Sequence, residues 1–311
     1  SSSNMLYYFS AVPAQLQEDI APTSAFFLSP KDEAAAERYM WVSSAGVVLH
    51  THFDQDHNFF VQLSGTKQFT LFPPSDADNL YPFPRTHPMW HKSQVDFNFP
   101  NLTAFPRYRH AQPVEVVLEA GDVLYIPPYW WHRVESITAS VSLSIWSKKA
   151  GVVEAMDFVY GHEHKFDMLS SSRGKMFALR LYLDMMIEAI YGEGRTNSVI
   201  RSLLESRFPH LAHSFNLTRL CPSDIIPTAS HVYGDTNLDV NLGQRKFSAL
   251  PAEIRDIIFQ DYVEEVVAEV VGVENTLSFL TSCFAGQTYQ LLQEEPGKRE
   301  PLWDELETDS G

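Results

Sequence analysis

The chain is short of three things: cysteine, positive charge and long apolar runs. Only Cys221 and Cys283 occur in 311 residues. Two thiols cannot build a disulfide framework, and nothing resembles the Cys-x-x-Cys pair of a zinc site. That scarcity points to a reducing compartment, cytoplasmic and/or nuclear. Lysine and arginine total 23 against 39 aspartates and glutamates, a net charge of −16. An acidic chain repels phosphate backbones, which disfavours a broad nucleic-acid surface. Four cations that do gather, Arg85, Lys92, Arg107 and Arg109, fall in one loop-rich region. They read either as a solvated surface or as a local basic groove. No stretch of about 18 uninterrupted apolar residues occurs, so no membrane span is expected. The opening Ser1-Ser2-Ser3-Asn4-Met5 has neither a basic nor an apolar segment and does not read as a signal peptide. Asn101-Leu102-Thr103 and Asn216-Leu217-Thr218 match the glycosylation triplet, and a cytosolic reading leaves both unused.

What is present is apolar and aromatic. Hydrophobic residues make up 44% and aromatics 13%, as in a folded protein with a sizeable core. The length allows one large or two modest domains. Two halves differ in pattern. Residues 5–150 carry short β-branched and aromatic runs, punctuated by Pro and Gly: Trp41-Val42, Val47–Leu49, Phe59–Leu63, Gln68–Phe72, Val114–Leu118, Val123–Ile126 and Val141–Trp146. Such spacing predicts an all-β barrel or sandwich. A Pro- and aromatic-rich insert over 73–113 interrupts it, and its aromatic content predicts a packed lid. Residues 151–293 switch to a helical period, so the chain is mainly β with α. Helices are predicted over Lys175–Tyr191, with Gly192 as its C-cap, over Thr196–Phe208, over Pro251–Val271 and over Glu274–Leu292. This half is either a cap on the barrel or a dimerisation element. The charged tail, 294–311, is predicted to be flexible.

His52-Phe53-Asp54, followed 78 residues later by His132, carries the chemistry. Residues i and i+2 of a strand share a face, so His52 and Asp54 can reach one ion from the strand begun by Val47–Leu49. His132 is expected from a strand across the barrel, beyond Val123–Ile126. Two imidazoles and one carboxylate suit Fe(II) and leave positions open for a co-substrate and O₂. A lone His-x-Asp triplet is weak evidence, and most histidines are satisfied core or surface residues. The triplet's context makes the difference.

Gly121-Asp122-Val123-Leu124-Tyr125-Ile126-Pro127-Pro128-Tyr129-Trp130-Trp131-His132 resembles the second metal-binding segment of JmjC-type cupin oxygenases. Asn58–Lys67 and Leu71-Phe72-Pro73-Pro74 are similar to that family's middle segment. Leu80-Tyr81-Pro82 and Ser93–Phe97 are similar to its next two landmarks. Five motifs in order over roughly residues 5–147 carry the resemblance. It is stronger to the small JmjC hydroxylases, of the type of the asparaginyl hydroxylase inhibiting hypoxia-inducible factor, than to the large multidomain histone demethylases.

The resemblance implies a double-stranded β-helix, a cupin or jelly-roll barrel, and an Fe(II)- and 2-oxoglutarate-dependent oxygenase. The implied metal ligands are His52, Asp54 and His132. The implied contacts to 2-oxoglutarate are Lys67, fifteen residues after His52, with Tyr8, Asn58 and Ser144. Lys67 read alone is equally a surface lysine on a Gly65 turn, and Tyr7 competes with Tyr8 for register. Trp146, His91 and Lys92 are the implied substrate contacts, Trp146 otherwise being barrel core. His50 and His57 crowd the metal motif, His57 as a solvent-exposed residue. The chain departs from relatives at Leu49, where several carry Ser or Thr. Neither His50 nor Thr51 is expected at the same pleat position. It departs again at Ser144, where some carry Asn, and at His91-Lys92, where the asparaginyl hydroxylase carries Arg-Gln. The expected reaction is hydroxylation of a protein side chain with release of succinate and CO₂. The alternatives are N-methyl-lysine demethylation, hydroxylation of a tRNA base, or a non-catalytic binding module. A homodimer through the C-terminal helices is also implied.

Overall fold

The computed structural model describes residues 6–17, 20, 36–148, 150–160, 166–211, 247 and 249–284. The chain divides into two compact units. One comprises Ser1–Phe83 and Met89–Glu154; the other comprises Pro84–Pro88 and Ala155–Gly311. The predicted tail, 294–311, and the end of the last predicted helix lie outside the described residues.

The first unit is a pair of antiparallel sheets. Its strands are β1 (Tyr7–Ala11), β2 (Glu37–Ser43), β3 (Val48–Phe53), β4 (His57–Ser64), β5 (Lys67–Phe72), β6 (Val114–Leu118), β7 (Val123–Ile126), β8 (Trp131–Ser136) and β9 (Ser140–Ser147). One sheet runs β1-β2-β9-β4-β7 and the other β3-β8-β5-β6. Phe60, Phe69, Leu71, Leu118, Ile126 and Val134 come from both sheets and form the core between them. The alternation of β9 is inverted relative to the usual apolar-in, polar-out rule. Leu143 and Ile145 pack with Val12 on the outer side. Ser142 and Ser144 turn inward, where the Ser142 hydroxyl donates to Gln62 Oε1 at 2.8 Å. The barrel therefore has a polar interior wall.

The insert 73–113 is ordered by its own packing. Leu80, Tyr81 and Val95 are buried. A buried Asp76 carboxylate accepts from Asn79 Nδ2 and from the Gln112 backbone N–H, closing the insert's two ends on each other. The insert includes a one-turn helix, α1 (Ala77–Leu80).

The second unit is helical. With α2 (Ala150–Tyr160), which starts in the first unit, the chain forms α3 (Ser172–Tyr191), α4 (Thr196–Arg207), α5 (Ala252–Val271) and α6 (Thr276–Cys283). Ser171 caps α3 by accepting from Gly174 N, so that helix begins before the predicted Lys175. Helix α5 buries residues around most of its circumference, among them Phe259, Val263 and Val267. Two of its carboxylates, Asp261 and Glu264, are buried with them. Arg207 of α4 pairs with Asp261 of α5 at 2.7 Å and lies 3.8 Å from Glu264. The backbone N–H of Arg85 donates to Glu264, and the Arg85 guanidinium pairs with Glu265. Burial pushes the Glu264 carboxyl up to about 7, against the pull of Arg207. Cys283 is buried and disulfide-bonded, so the cysteine count carries no argument for a reducing compartment.

Candidate metal centre and its cavity

Strand β3 is the edge of its sheet, and its register with β8 shifts by one residue. Leu49 pairs with Val134, whereas His52 pairs with His132. Three steps on β3 thus oppose two on β8, a bulge that re-aims side chains. The bulge puts Leu49 on the same face as His52, although an unbroken pleat would oppose them. His132 comes from the hydrogen-bonded neighbour of β3, not from a strand across the barrel as the sequence had suggested. Asp54 stands one residue past the end of β3, held there by its carbonyl, which accepts from Tyr129 N at 2.7 Å. Tyr129 has φ +64° in the Pro127–Trp130 turn, so an uncommon backbone conformation sits at the metal carboxylate.

The three ligand atoms of His52, Asp54 and His132 lie within 4.8 Å of one another. His132 Nε2 is 3.7 Å from Asp54 Oδ2. An ion bonded at about 2.1 Å to each needs them about 3–3.5 Å apart, a small closure. Both imidazoles are oriented by the same device. His52 Nδ1 lies 2.8 Å from the His50 carbonyl, and His132 Nδ1 lies 3.1 Å from the Trp130 carbonyl. A ring N–H donated to these oxygens leaves each Nε2 as the ligand atom, the arrangement that fixes tautomer and direction at metal sites. Desolvation, then the neighbouring His132, holds His52 well below the usual imidazole range. A neutral imidazole is what a metal requires.

The triad opens into a cavity of about 670 Å³. Lys67 enters it from the start of β5. Gly65 makes the preceding turn with φ +75°, where a Cβ would meet the Ala139 carbonyl at 2.1 Å, so only glycine fits. Lys67 is 2% exposed. Its Nζ lies 5.2 Å from the centre of the Phe60 ring, and no carboxylate among the described residues pairs with it. Desolvation pushes its ammonium down to about 8. Asn58, on β4 of the other sheet, is buried and lines the same cavity, and its Oδ1 has no hydrogen-bond partner among the described residues. A carboxylate from outside the protein would satisfy the lysine. The residues present therefore fit a metal ion together with a dicarboxylate ligand.

The other expected residues separate. Ser144 is 1% exposed and lines the cavity, as does Trp146, whose indole Nε1 is unpartnered among the described residues. His91 stands edge-on to His52 with ring centres 6.1 Å apart. Lys92 bridges to His52 in an antiparallel step, with Phe53 N donating to the His91 carbonyl and Ser93 N to that of Thr51. The limb 91–93 thus lies along the edge of β3 at the ligands themselves. Tyr8 does not line the cavity; Tyr7 and Phe9 do, because alternate residues of β1 face it. The proposed basic groove disperses. Only Lys92 lines the cavity, Arg85 pairs with Glu265, Arg107 lies over the Tyr81 ring, and Arg109 donates to the Pro106 carbonyl. His57 is stacked on Tyr125, whose hydroxyl it meets at 2.6 Å, away from the metal. Sequence reasoning placed Trp41 in a strand run and gave it no part in the site. Its ring lines the cavity and its Nε1 donates to Ser144 Oγ at 2.9 Å, a contact set by the β2–β9 register.

Residues 2–150 match the family described as a cupin-like domain. The JmjC domain-containing protein D of Dictyostelium discoideum is 38% identical over 103 residues, covering 33% of this chain and 23% of that protein. Lysine-specific demethylase 8 of Danio rerio is 36% identical over 138 residues, covering 44% and 34%. The tRNA wybutosine-synthesizing protein 5 of Gallus gallus is 32% identical over 158 residues, covering 47% and 48%. The chain thus spans from under a quarter to about half of these relatives' length.

Proposed function

We propose, from the premise that residues 2–150 are a cupin-like domain of the JmjC type, that the chain is an Fe(II)- and 2-oxoglutarate-dependent oxygenase hydroxylating a protein side chain. One observation carries the reading: a buried lysine that meets no carboxylate among the described residues shares a cavity with a His/Asp/His set. Unpaired burial of an ammonium is costly, so its position makes physical sense as a seat for an anion.

His52, Asp54 and His132 would hold the metal by one face, leaving its other positions toward the cavity. Fe(II) with 2-oxoglutarate supplies O₂ activation, coupling oxidative decarboxylation to succinate and CO₂ with oxygen insertion into a C–H bond. The protein's own work is positioning. The His50 and Trp130 carbonyls fix the two imidazoles. Lys67 offers its ammonium to the distal carboxylate, with Asn58 and Ser144 as polar contacts beside it. The aromatic walls exclude water from the reacting centre. His91, Lys92 and Trp146 also line the cavity, within reach of a bound substrate.

A second reading, removal of a methyl group from N-methyl-lysine by the same metal chemistry, is supported by relatives named as lysine-specific demethylases. Hydroxylation of a tRNA base has a relative's name in its favour and the net charge of −16 against it. The deciding experiment is succinate formation from 2-oxoglutarate with Fe(II) and ascorbate across a peptide array, comparing wild type with His52→Ala/Asp54→Ala. Peptide-stimulated turnover that the variant loses supports the oxygenase. A product heavier by one oxygen supports hydroxylation, and loss of a methyl group supports demethylation. No turnover by a metal-loaded wild type, with RNA substrates also inert, would leave a binding module.

A further inference from the structure

Ser144 is buried in β9 and faces the cavity, where its hydroxyl oxygen receives the Trp41 indole N–H at 2.9 Å. An indole nitrogen can only donate, so the serine oxygen is the acceptor. The one hydroxyl hydrogen is then left over. Among the described residues no acceptor takes it. A buried donor without a partner is unfavourable unless something else fills the role. The surroundings say what kind of group that is. Ser144 pairs across the sheet with Phe60, and the Lys67 ammonium sits over the Phe60 ring at 5.2 Å. The hydroxyl and the ammonium therefore belong to one corner of the cavity. The nearest inward residue on β9, Trp146, adds a third unpartnered donor, its indole N–H. A corner built of donors suits an anion.

We infer that Trp41 is a positioning residue: its indole N–H engages the Ser144 oxygen and so turns the Ser144 hydroxyl hydrogen into the cavity, as a donor to a carboxylate of the co-substrate. The inference rests on the 2-oxoglutarate reading. A short hydroxyl rotates freely, and the Trp41 indole N–H on its oxygen chooses its direction.

The test is a double-mutant cycle on binding, read by calorimetric titration of 2-oxoglutarate into Mn(II)-loaded protein without O₂, so that turnover plays no part. Trp41→Phe keeps the ring and removes the N–H, and Ser144→Ala removes the hydroxyl. Ser144→Ala should weaken binding about 10–100-fold, the range of a hydrogen bond to a charged group, and Trp41→Phe, which leaves the hydroxyl in place but undirected, should weaken it by less. The double variant should lose no more than Ser144→Ala alone, because the pair acts as one unit. Thermal melting without ligand should move little in Trp41→Phe. Wild-type affinity in Trp41→Phe, or losses that multiply in the double variant, would overturn the inference and leave the co-substrate reading standing. A metal-loaded wild type that does not bind 2-oxoglutarate would overturn both.

Discussion

The barrel and the helical unit both bury charge, and they treat it in opposite ways. In the helical unit Arg207, Asp261 and Glu264 are 1%, 3% and 0% exposed, and they answer one another across α4 and α5. In the barrel Lys67 is equally buried and faces a cavity, with no carboxylate beside it among the described residues. Asn58 Oδ1 and Trp146 Nε1, lining the same cavity from the other sheet, are unpartnered among the described residues. A buried charge that finds its partner inside the fold is part of the scaffold. One that finds none is waiting for a ligand, because desolvation without compensation would otherwise select against it.

Mutations should separate the two kinds of burial. The largest effect is expected at the metal: His52→Ala or Asp54→Ala should abolish metal binding, measured by equilibrium dialysis, while the barrel's circular dichroism stays unchanged. Next is Asp261→Ala in the helical unit, which leaves the Arg207 guanidinium with Glu264 alone. Breaking a buried pair costs about 3–5 kcal/mol, and denaturant unfolding should show a loss at the low end of that range. Metal affinity of the folded protein should not change. Lys67→Met should do the reverse. Denaturant stability should hold or rise, since a buried charge is removed, while the Kd for 2-oxoglutarate rises about 10–100-fold. If Lys67→Met destabilises and Asp261→Ala weakens ligand binding, the contrast is broken.

Two smaller effects depend on pH. Lys67 has its folded pKa lowered from 10.5 to about 8. Between those values the unfolded chain binds more protons, so its contribution to stability should increase as pH rises from about 8 towards 10.5. Affinity for a carboxylate ligand should fall over the onset of the same window, because the ammonium is being lost. Unfolding midpoints and titrations at pH 7.5 and 9 would register both, and Lys67→Met should flatten both. Glu264 behaves oppositely, its folded pKa being raised from 4.5 to about 7. The native state holds the extra proton between these values, so stability falls as pH rises through them. Glu264→Gln should remove that slope, the smallest of the expected effects.

Much of this was legible in the residues. The run Val123–Ile126 is β7 as predicted, and Gln68–Phe72 differs from β5 by one residue. Other strands were not: β1 and β8 lack a distinct apolar alternation, and β8 carries His132. Helix starts were missed where capping decided them, as at Ser171. Within the site, ligand identity was legible and direction was not. The choice between Tyr7 and Tyr8 is a question of pleat parity, and parity is counted from a pairing partner. The bulge in β3 puts Leu49 on the His52 face, which the sequence spacing alone does not show. Trp41 has no local signature, since its importance comes from Ser144, 103 residues away.

The sequence alone determined the chemistry on offer: two imidazoles and a carboxylate at strand spacing, a lysine two residues after Gly65, and a switch from β to helical period near residue 150. These depend on residue type and short-range spacing, which the chain carries wherever it folds. Tertiary structure decided which residues face the cavity, that His132 stands beside His52 on the next strand, and that among the described residues Lys67 meets no carboxylate while Arg207 meets Asp261 and Glu264. Pairing register and partner distance are long-range properties. A one-residue bulge reverses the first, and desolvation gives the second its energetic weight.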